Sequence, residues 1–157
     1  MKKIILFLLI SSISFAQNAN RKYLNFKKTS TALEINTSDG KYILSAYSNE
    51  IIETSFIPNG EVFNPESHAV VLTPKKGNTK ITNSKNSIRF ATKGIVAIIE
   101  KSPFKISYSY KNEALLSEKN GYTKKDSTEI LDFNLDTSEV LYGGGARALG
   151  MNRRGNR

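Results

Sequence analysis

The stretch FKISYSYK, residues 104–111, alternates apolar or aromatic residues with lysines and serines. In an extended chain Phe104, Ile106, Tyr108 and Tyr110 share one side and the polar residues share the other, which is typical of a strand with one buried face. Other short segments are also rich in β-branched residues or alternate in the same way. They are residues 51–57, 70–73, 87–91, 95–99 and 131–136.

Turn signals separate these segments. Ser38-Asp39-Gly40 joins residues 32–36 to residues 41–47 and predicts a hairpin in which Gly40 supplies a positive φ. Helical periodicity is nearly absent, and the one possible helical turn, residues 112–119, fits a strand equally well. With about nine or ten short strands and no repeat of fixed period, the sequence predicts an all-β antiparallel β-sandwich.

Composition narrows the chemistry further. The chain has 157 residues, no cysteine and one histidine, His68, which lies in a turn-rich loop. These counts exclude disulfides, thiolate zinc sites, cysteine nucleophiles and histidine clusters. The apolar fraction of 39% and the charged fraction of 24% are those of an ordinary globular domain. We therefore expect a single domain that is held together by its apolar core.

The first residues have the pattern of a secretory signal peptide. Met1-Lys2-Lys3 is basic, residues 4–10 (IILFLLI) are apolar, and Ser14-Phe15-Ala16 places small residues at a cleavage site. The apolar run is too short to span a bilayer, so no stable membrane span is expected after cleavage. We predict a signal peptide at 1–16, a β-sandwich domain at 17–141, and a secreted or periplasmic protein.

Residues 142–157 differ from the rest because they are rich in glycine and arginine. Glycines let a backbone approach another surface closely, and planar guanidinium groups suit carboxylates and sugar hydroxyls. We predict a loop that lies between the sandwich and a neighbouring domain; a flexible linker is the alternative. The candidate site residues are Tyr142, Gly143, Gly144, Gly145, Arg147, Arg153 and Arg154.

Other site chemistries find little support. The net charge is +9, but the basic pairs are scattered along the chain, so nucleic-acid binding is not expected. Residues 143–148 match a relaxed G-x-G-x-x-A pattern without the βαβ unit that a dinucleotide site needs. Asp132 and Asp136, about 13 Å apart along one strand, are too far apart for a retaining carboxylate pair. No metal site and no cofactor are predicted.

Tyr142-Gly143-Gly144-Gly145-Ala146-Arg147, followed by Asn152-Arg153-Arg154-Gly155, resembles the end of the N-terminal domain of glycoside hydrolase family 31. Residues 49–56, 92–106 and 114–118 are similar to successive pieces of that domain, in the same order. Ala146 departs from the pattern, since many members carry a glutamate there. The triple glycine with Asn-Arg-Arg-Gly looks like the Bacteroidetes-type branch, which includes α-glucosidases and α-transglucosylases.

The resemblance implies a galactose-mutarotase-like β-sandwich followed by a (β/α)8 barrel outside this sequence. It also implies that residues 142–157 form a loop at the substrate pocket or domain interface that leads toward the barrel. It also implies retaining hydrolysis of α-linked glucosides by two aspartates on that barrel, without a cofactor. The α-linked oligosaccharide would then bind through the barrel, and residues 1–157 would contain no catalytic residue and be inactive alone. Two alternatives stay open: a non-catalytic carbohydrate-binding or adhesive module, and a basic envelope protein that binds anionic polymers.

Overall fold

The computed structural model describes residues 21–64, 66–67, 69–125, 127–143 and 152–154. These residues form ten β-strands and no helix. The strands are β1 (Tyr23–Lys28), β2 (Ala32–Thr37), β3 (Gly40–Ala46), β4 (Ile52–Pro58), β5 (Lys80–Asn83), β6 (Ser87–Ala91), β7 (Ile95–Lys101), β8 (Phe104–Tyr110), β9 (Glu113–Lys125) and β10 (Thr128–Phe133). The predicted signal peptide, residues 1–16, lies outside the described residues.

The strands form two antiparallel sheets. The first has the order β1-β2-β3-β4 and the second the order β10-β9-β8-β7-β6-β5, so within each sheet consecutive strands pair with each other, and only the consecutive strands β4 and β5 belong to different sheets. Short turns suffice for such connections, and they explain the dense turn signals of the sequence. The predicted all-β antiparallel β-sandwich is confirmed.

Gly40 is needed in the first hairpin, but the predicted reason is wrong. The two turn residues are Ser38 and Asp39, and Gly40 begins β3 without a positive φ. A Cβ at Gly40 would lie 2.4 Å from the carbonyl oxygen of Ile57 and 2.5 Å from the ring of Phe56. Glycine is therefore required because β4 approaches the backbone closely there.

Three strand predictions need correction. Residues 70–73 form no strand but lie in the long connection between β4 and β5, where Val71 is 92% exposed. The predicted strand 131–136 instead runs from Thr128 to Phe133, and residues 134–136 leave the sheet. The ambiguous segment 112–119 belongs to a strand, and a two-residue turn at Lys111 and Asn112, both with positive φ, leads into it.

The core lies between the facing sides of the two sheets. Its fully buried members contribute about 1.5–3 kcal/mol for each large apolar side chain. The first sheet supplies Leu33, Ile35, Tyr42, Leu44 and Ala46, and the second supplies Ile88, Phe90, Ala97, Ile99 and Ile106. Because alternate residues of β6, β7 and β8 point inward, the residues between them form the outer face of the six-stranded sheet.

A buried arginine links the sheets at one end of the sandwich. Arg21 precedes β1, and its Nε and Nη2 donate to both carboxylate oxygens of Asp39 at 2.8–3.0 Å. Its Nη2 also donates to the carbonyl of Tyr122 on β9, at 2.7 Å, and its Nη1 donates to the hydroxyl of Tyr42. The guanidinium carbon lies 4.5 Å from the ring centre of Phe56. Arg21 therefore connects the four-stranded sheet to the six-stranded sheet.

Charge compensates burial around this arginine. Burial alone raises the pKa of Asp39, but its hydrogen bonds and charge pairing with Arg21 outweigh that effect and leave the pKa below its ordinary value. Glu118, also buried, accepts a hydrogen bond from the backbone N–H of Ile106 at 3.0 Å. Here burial dominates and raises the pKa of Glu118, although Ile106 and Arg21 act in the opposite direction.

We predict that Arg21→Ala lowers the free energy of unfolding by about 2–4 kcal/mol, because Asp39 loses its ion-pair partner and Glu118 loses one of the two cations that offset its burial. The stability of Arg21→Lys should lie between those of wild type and Arg21→Ala, since an ammonium group keeps the charge but loses the forked geometry of the guanidinium. Denaturant unfolding measures both, with exposed Lys27→Ala as the control. An Arg21→Ala midpoint equal to that of the control would contradict the assignment.

Glu118 gives a pH dependence of known sign. A carboxyl whose pKa is higher in the folded state binds more protons there, so stability falls as pH rises from 4.5 through the raised value. Glu118→Gln does not ionise and should lack this decline. Melting temperatures of both proteins between pH 4.5 and pH 8 test the prediction, with exposed Glu113→Gln as the control. Parallel curves for wild type and Glu118→Gln would refute it.

Candidate functional site

The glycine and arginine segment folds back on the residues that follow β10. The backbone N–H of Arg153 donates to the carbonyl of Leu141 at 2.7 Å, and the side-chain oxygen of Asn152 accepts from the N–H of Leu141 at 3.2 Å. The Nε of Arg153 donates to the carbonyl of Gly143 at 3.0 Å. Residues 141–143 and 152–154 are therefore held side by side.

Arg154 closes the turn that precedes this pair. Its Nη1 donates to the carbonyls of Asp136 and Glu139, the latter at 2.9 Å. The carboxylate of Asp136 accepts from the N–H and the hydroxyl of Ser138, at 2.8 and 2.6 Å. The hydrogen bonds from Ser138, followed by the charge of Arg154, lower the pKa of Asp136. This set, Asp136, Ser138, Glu139 and Arg154, is called the Arg154 turn below.

The predicted site residues differ in their surroundings in the structure. Tyr142 is 68% exposed, and Gly143 adopts a φ of 113°, a conformation that side-chain-bearing residues rarely adopt. Arg153 and Arg154 direct donors to backbone carbonyls, which shapes the loop. Gly144, Gly145 and Arg147 lie outside the described residues.

Asn152 was not among the predicted site residues, although its side-chain oxygen joins both sides of the loop. It accepts from the N–H of Leu141 and also from the N–H of Arg154, at 3.0 Å. Asn is a common local hydrogen-bonding residue in turns, and its position before the two arginines was the available signal.

The two aspartates considered in the sequence analysis have separate hydrogen-bond partners. Asp132 accepts a hydrogen bond from the side-chain nitrogen of Asn120 at 2.8 Å, and Asp136 is occupied by Ser138 within the turn. In the described part of the chain, no three potential metal ligands converge. The geometry is that of a folded surface loop on a sandwich, with Tyr142 and Gly143 at its open side.

The family of this chain follows from its sequence match. Residues 41–157 match the model of the glycosyl hydrolase 31 N-terminal galactose mutarotase-like domain. The chain belongs to this family. The match confirms the predicted N-terminal glycoside hydrolase family 31 domain and its mutarotase-like fold, and it includes the loop from Tyr142 onward. No curated protein matches the sequence significantly.

Solved structures share this fold. One is the crystal structure of the uncharacterized protein lmo2446 from Listeria monocytogenes EGD-e, with a TM-score of 0.65 and 18% sequence identity. A second is the same protein in complex with α-D-glucose, β-D-glucose, magnesium and calcium, with the same score and identity. Each alignment covers 86% of this chain and 14% of the Listeria chain, so this chain spans about a seventh of the length of that protein.

A search for membrane-spanning helices across the described residues finds none of sufficient length and apolar character.

We predict that Arg154→Ala loosens the Arg154 turn, because two backbone carbonyls lose their donor. Amide hydrogen exchange over residues 136–143 should rise about fivefold, which corresponds to about 1 kcal/mol of local stability. The melting temperature should change little, since the core is untouched. Arg154→Lys, which can still reach one carbonyl, should show a smaller rise, and exposed Lys119→Ala none. Unchanged exchange in Arg154→Ala would overturn the role of this arginine.

Proposed function

We propose that this chain is the N-terminal module of an exported retaining glycosidase that acts on α-linked glucosides. In this proposal the catalytic aspartates lie on a (β/α)8 barrel outside residues 1–157, and the sandwich supports that barrel. The observation that carries the proposal is the family 31 match over residues 41–157, which belongs to an N-terminal domain of glycoside hydrolases.

The arrangement of carboxylates supports the placement of the chemistry elsewhere. A retaining glycosidase needs two carboxyl groups about 5–5.5 Å apart, one as nucleophile and one as acid and base. The aspartates that come nearest to such a pair in the sequence, Asp132 and Asp136, are held by Asn120 and Ser138 in separate local structures. The match of this chain to only 14% of the Listeria protein's length is also in keeping with a module of a larger enzyme.

The preference for α-linked glucose rests on two weaker supports. The stretch from Tyr142 to Gly155 resembles the branch of the family that includes α-glucosidases and α-transglucosylases. The Listeria protein of the same fold has been crystallised with glucose. We infer that the loop from Tyr142 onward forms part of the wall of the sugar pocket, with the exposed Tyr142 ring as its contact surface.

Exposed apolar side chains lie near the same loop. Isolated apolar residues are common on protein surfaces, but a concentration of them indicates a contact surface. On β10 and at residues 140–142, this set comprises Ile130, Leu131, Phe133, Val140, Leu141 and Tyr142. Their exposure supports a domain that packs against another part of the enzyme.

An activity assay on two proteins tests the proposal. The purified 157-residue chain should release no glucose from maltose or an aryl α-glucoside. The product of the uninterrupted gene should cleave the aryl α-glucoside, and proton NMR should show the α-anomer of glucose first, as retention requires. Release of glucose by the chain alone, or a first product with inverted configuration, would refute the mechanism. The matched β-glucoside serves as the substrate control.

We also propose export to the periplasm or the medium, with cleavage after Ala16. The basic start, the apolar run and the small residues at Ser14 and Ala16 support it. N-terminal sequencing of the protein from the extracytoplasmic fraction should then begin at Gln17. A cytoplasmic protein that retains Met1 would exclude export.

A further inference from the structure

The outer face of the six-stranded sheet carries a row of four side chains in register. Arg89 pairs with Ile98, Ile98 with Ser107, and Ser107 with Ser117. The row crosses β6, β7, β8 and β9, which at ordinary strand spacing is a span of about 14 Å. Neighbouring residues such as Ile88, Ile99 and Ile106 are fully buried in the core, so this row faces outward.

The segment after β10 forms a wall beside this row. Asn134 docks on Ser117 twice: its N–H donates to the Ser117 carbonyl and its side-chain nitrogen to the Ser117 hydroxyl, each at 2.8 Å. The same nitrogen donates to the carbonyl of Glu118 at 3.1 Å. From there the chain continues through the Arg154 turn, whose Asp136, Ser138 and Glu139 line the wall. The row forms the floor and the segment forms one wall of an open groove of about 1010 Å³.

The lining combines hydrogen-bonding groups with aliphatic carbon. Serine hydroxyls, asparagine amides and the Arg89 guanidinium alternate with Ile98, Leu115 and Leu135. Arg89, Ser107 and Ser109 lie on the outer face, and their side chains make no hydrogen bond to another described residue. These donors are therefore available to a ligand, while the aliphatic side chains offer an apolar surface between them.

The same features disfavour other kinds of occupant. An added strand needs unpaired backbone, but β6, β7, β8 and β9 are each paired on both sides. An amphipathic helix needs an apolar floor, whereas this floor contains a guanidinium and serine hydroxyls. An anion would meet the carboxylates of Asp136 and Glu139 opposite a single arginine. A neutral ligand with many hydroxyls and an apolar ring face matches both parts of the lining.

We propose that this groove binds a neutral oligosaccharide, at a site separate from the catalytic pocket. Arg89, Ser107 and Ser109 hydrogen-bond its hydroxyls, and Ile98 and Leu135 contact the C–H face of a sugar ring. The site lies entirely on this sandwich and requires no residue of a barrel. Its role is to hold a polymeric substrate on the enzyme, which raises the local concentration of cleavable chain.

The groove does not depend on the proposed catalytic function, but the choice of an α-glucan as the first probe does. The experiment is a titration of the isotope-labelled full chain with maltotetraose, followed by amide NMR. Cellotetraose, its β-linked isomer, is titrated in parallel. Saturable shifts should concentrate at residues 89, 98, 107, 117 and 134.

Three variants test whether the sugar binds in the groove. Arg89→Ala should weaken binding about tenfold through loss of a charged donor. Ser107→Ala removes a hydroxyl from the floor and should weaken binding several-fold, because a ligand hydroxyl loses its partner. Lys93→Ala, an exposed cation in the turn between β6 and β7, is the matched control and should bind as wild type does. Thermal melts verify that all three variants fold.

Each outcome has a stated meaning. Binding of maltotetraose that both groove variants reduce supports the proposal. Stronger binding of cellotetraose at the same residues also supports the groove, and counts against the α-glucoside preference of the proposed function. Shifts confined to other residues, equal affinity in wild type, Arg89→Ala and Ser107→Ala, or no saturable shift up to about 10 mM of either sugar would overturn it.

Discussion

Burial of the facing sides of two antiparallel sheets is the interaction on which the rest of this structure depends. Each strand contributes alternate residues to the core, and the second sheet supplies Ile88, Phe90, Ala97, Ile99 and Ile106. Since the side-chain period of a strand is two, a shift of one residue would move every inward side chain to solvent. The core therefore determines the register, and the register determines which side chains stand together on the outer face.

The polar cluster around Arg21 shows how buried charges are compensated in the sandwich. The guanidinium lies against aromatic rings and pairs with Asp39, while Glu118 stays buried at the cost of a raised pKa. A buried ion pair adds little net stability over an apolar equivalent, but removal of one partner is costly. The ion pair instead fixes the position of the chain, because Arg21 holds the segment before β1 against both sheets.

In the loop after β10 the arginines have a structural role that differs from the ligand-binding role predicted from the sequence. Free guanidinium groups would suit a sugar or a carboxylate, yet Arg153 and Arg154 donate to backbone carbonyls of residues 136–143. They organise the loop, and Tyr142 is left exposed beside it. In the proposed enzyme this family 31 domain contributes shape and support, and the catalytic carboxylates lie elsewhere.

Alternation in residues 104–111 and 87–91 was sufficient to place β8 and β6, because the buried face imposes a period of two on each strand. The motif at Tyr142 was sufficient to indicate the family. The sequence did not reveal β1 or β5, nor that residues 70–73 lie outside the sheets, because short strands depend on partners that a local pattern does not contain.

By itself the sequence therefore determined the fold class through local periodicity, the family through the order of its motifs, and the absence of cysteine chemistry through composition. Only the tertiary structure decided why Gly40 is glycine, which carbonyls the arginines hold, and that Arg89, Ser107 and Ser117 form one row. Those features arise from contacts between residues distant in the chain, and pairing of strands brings them together.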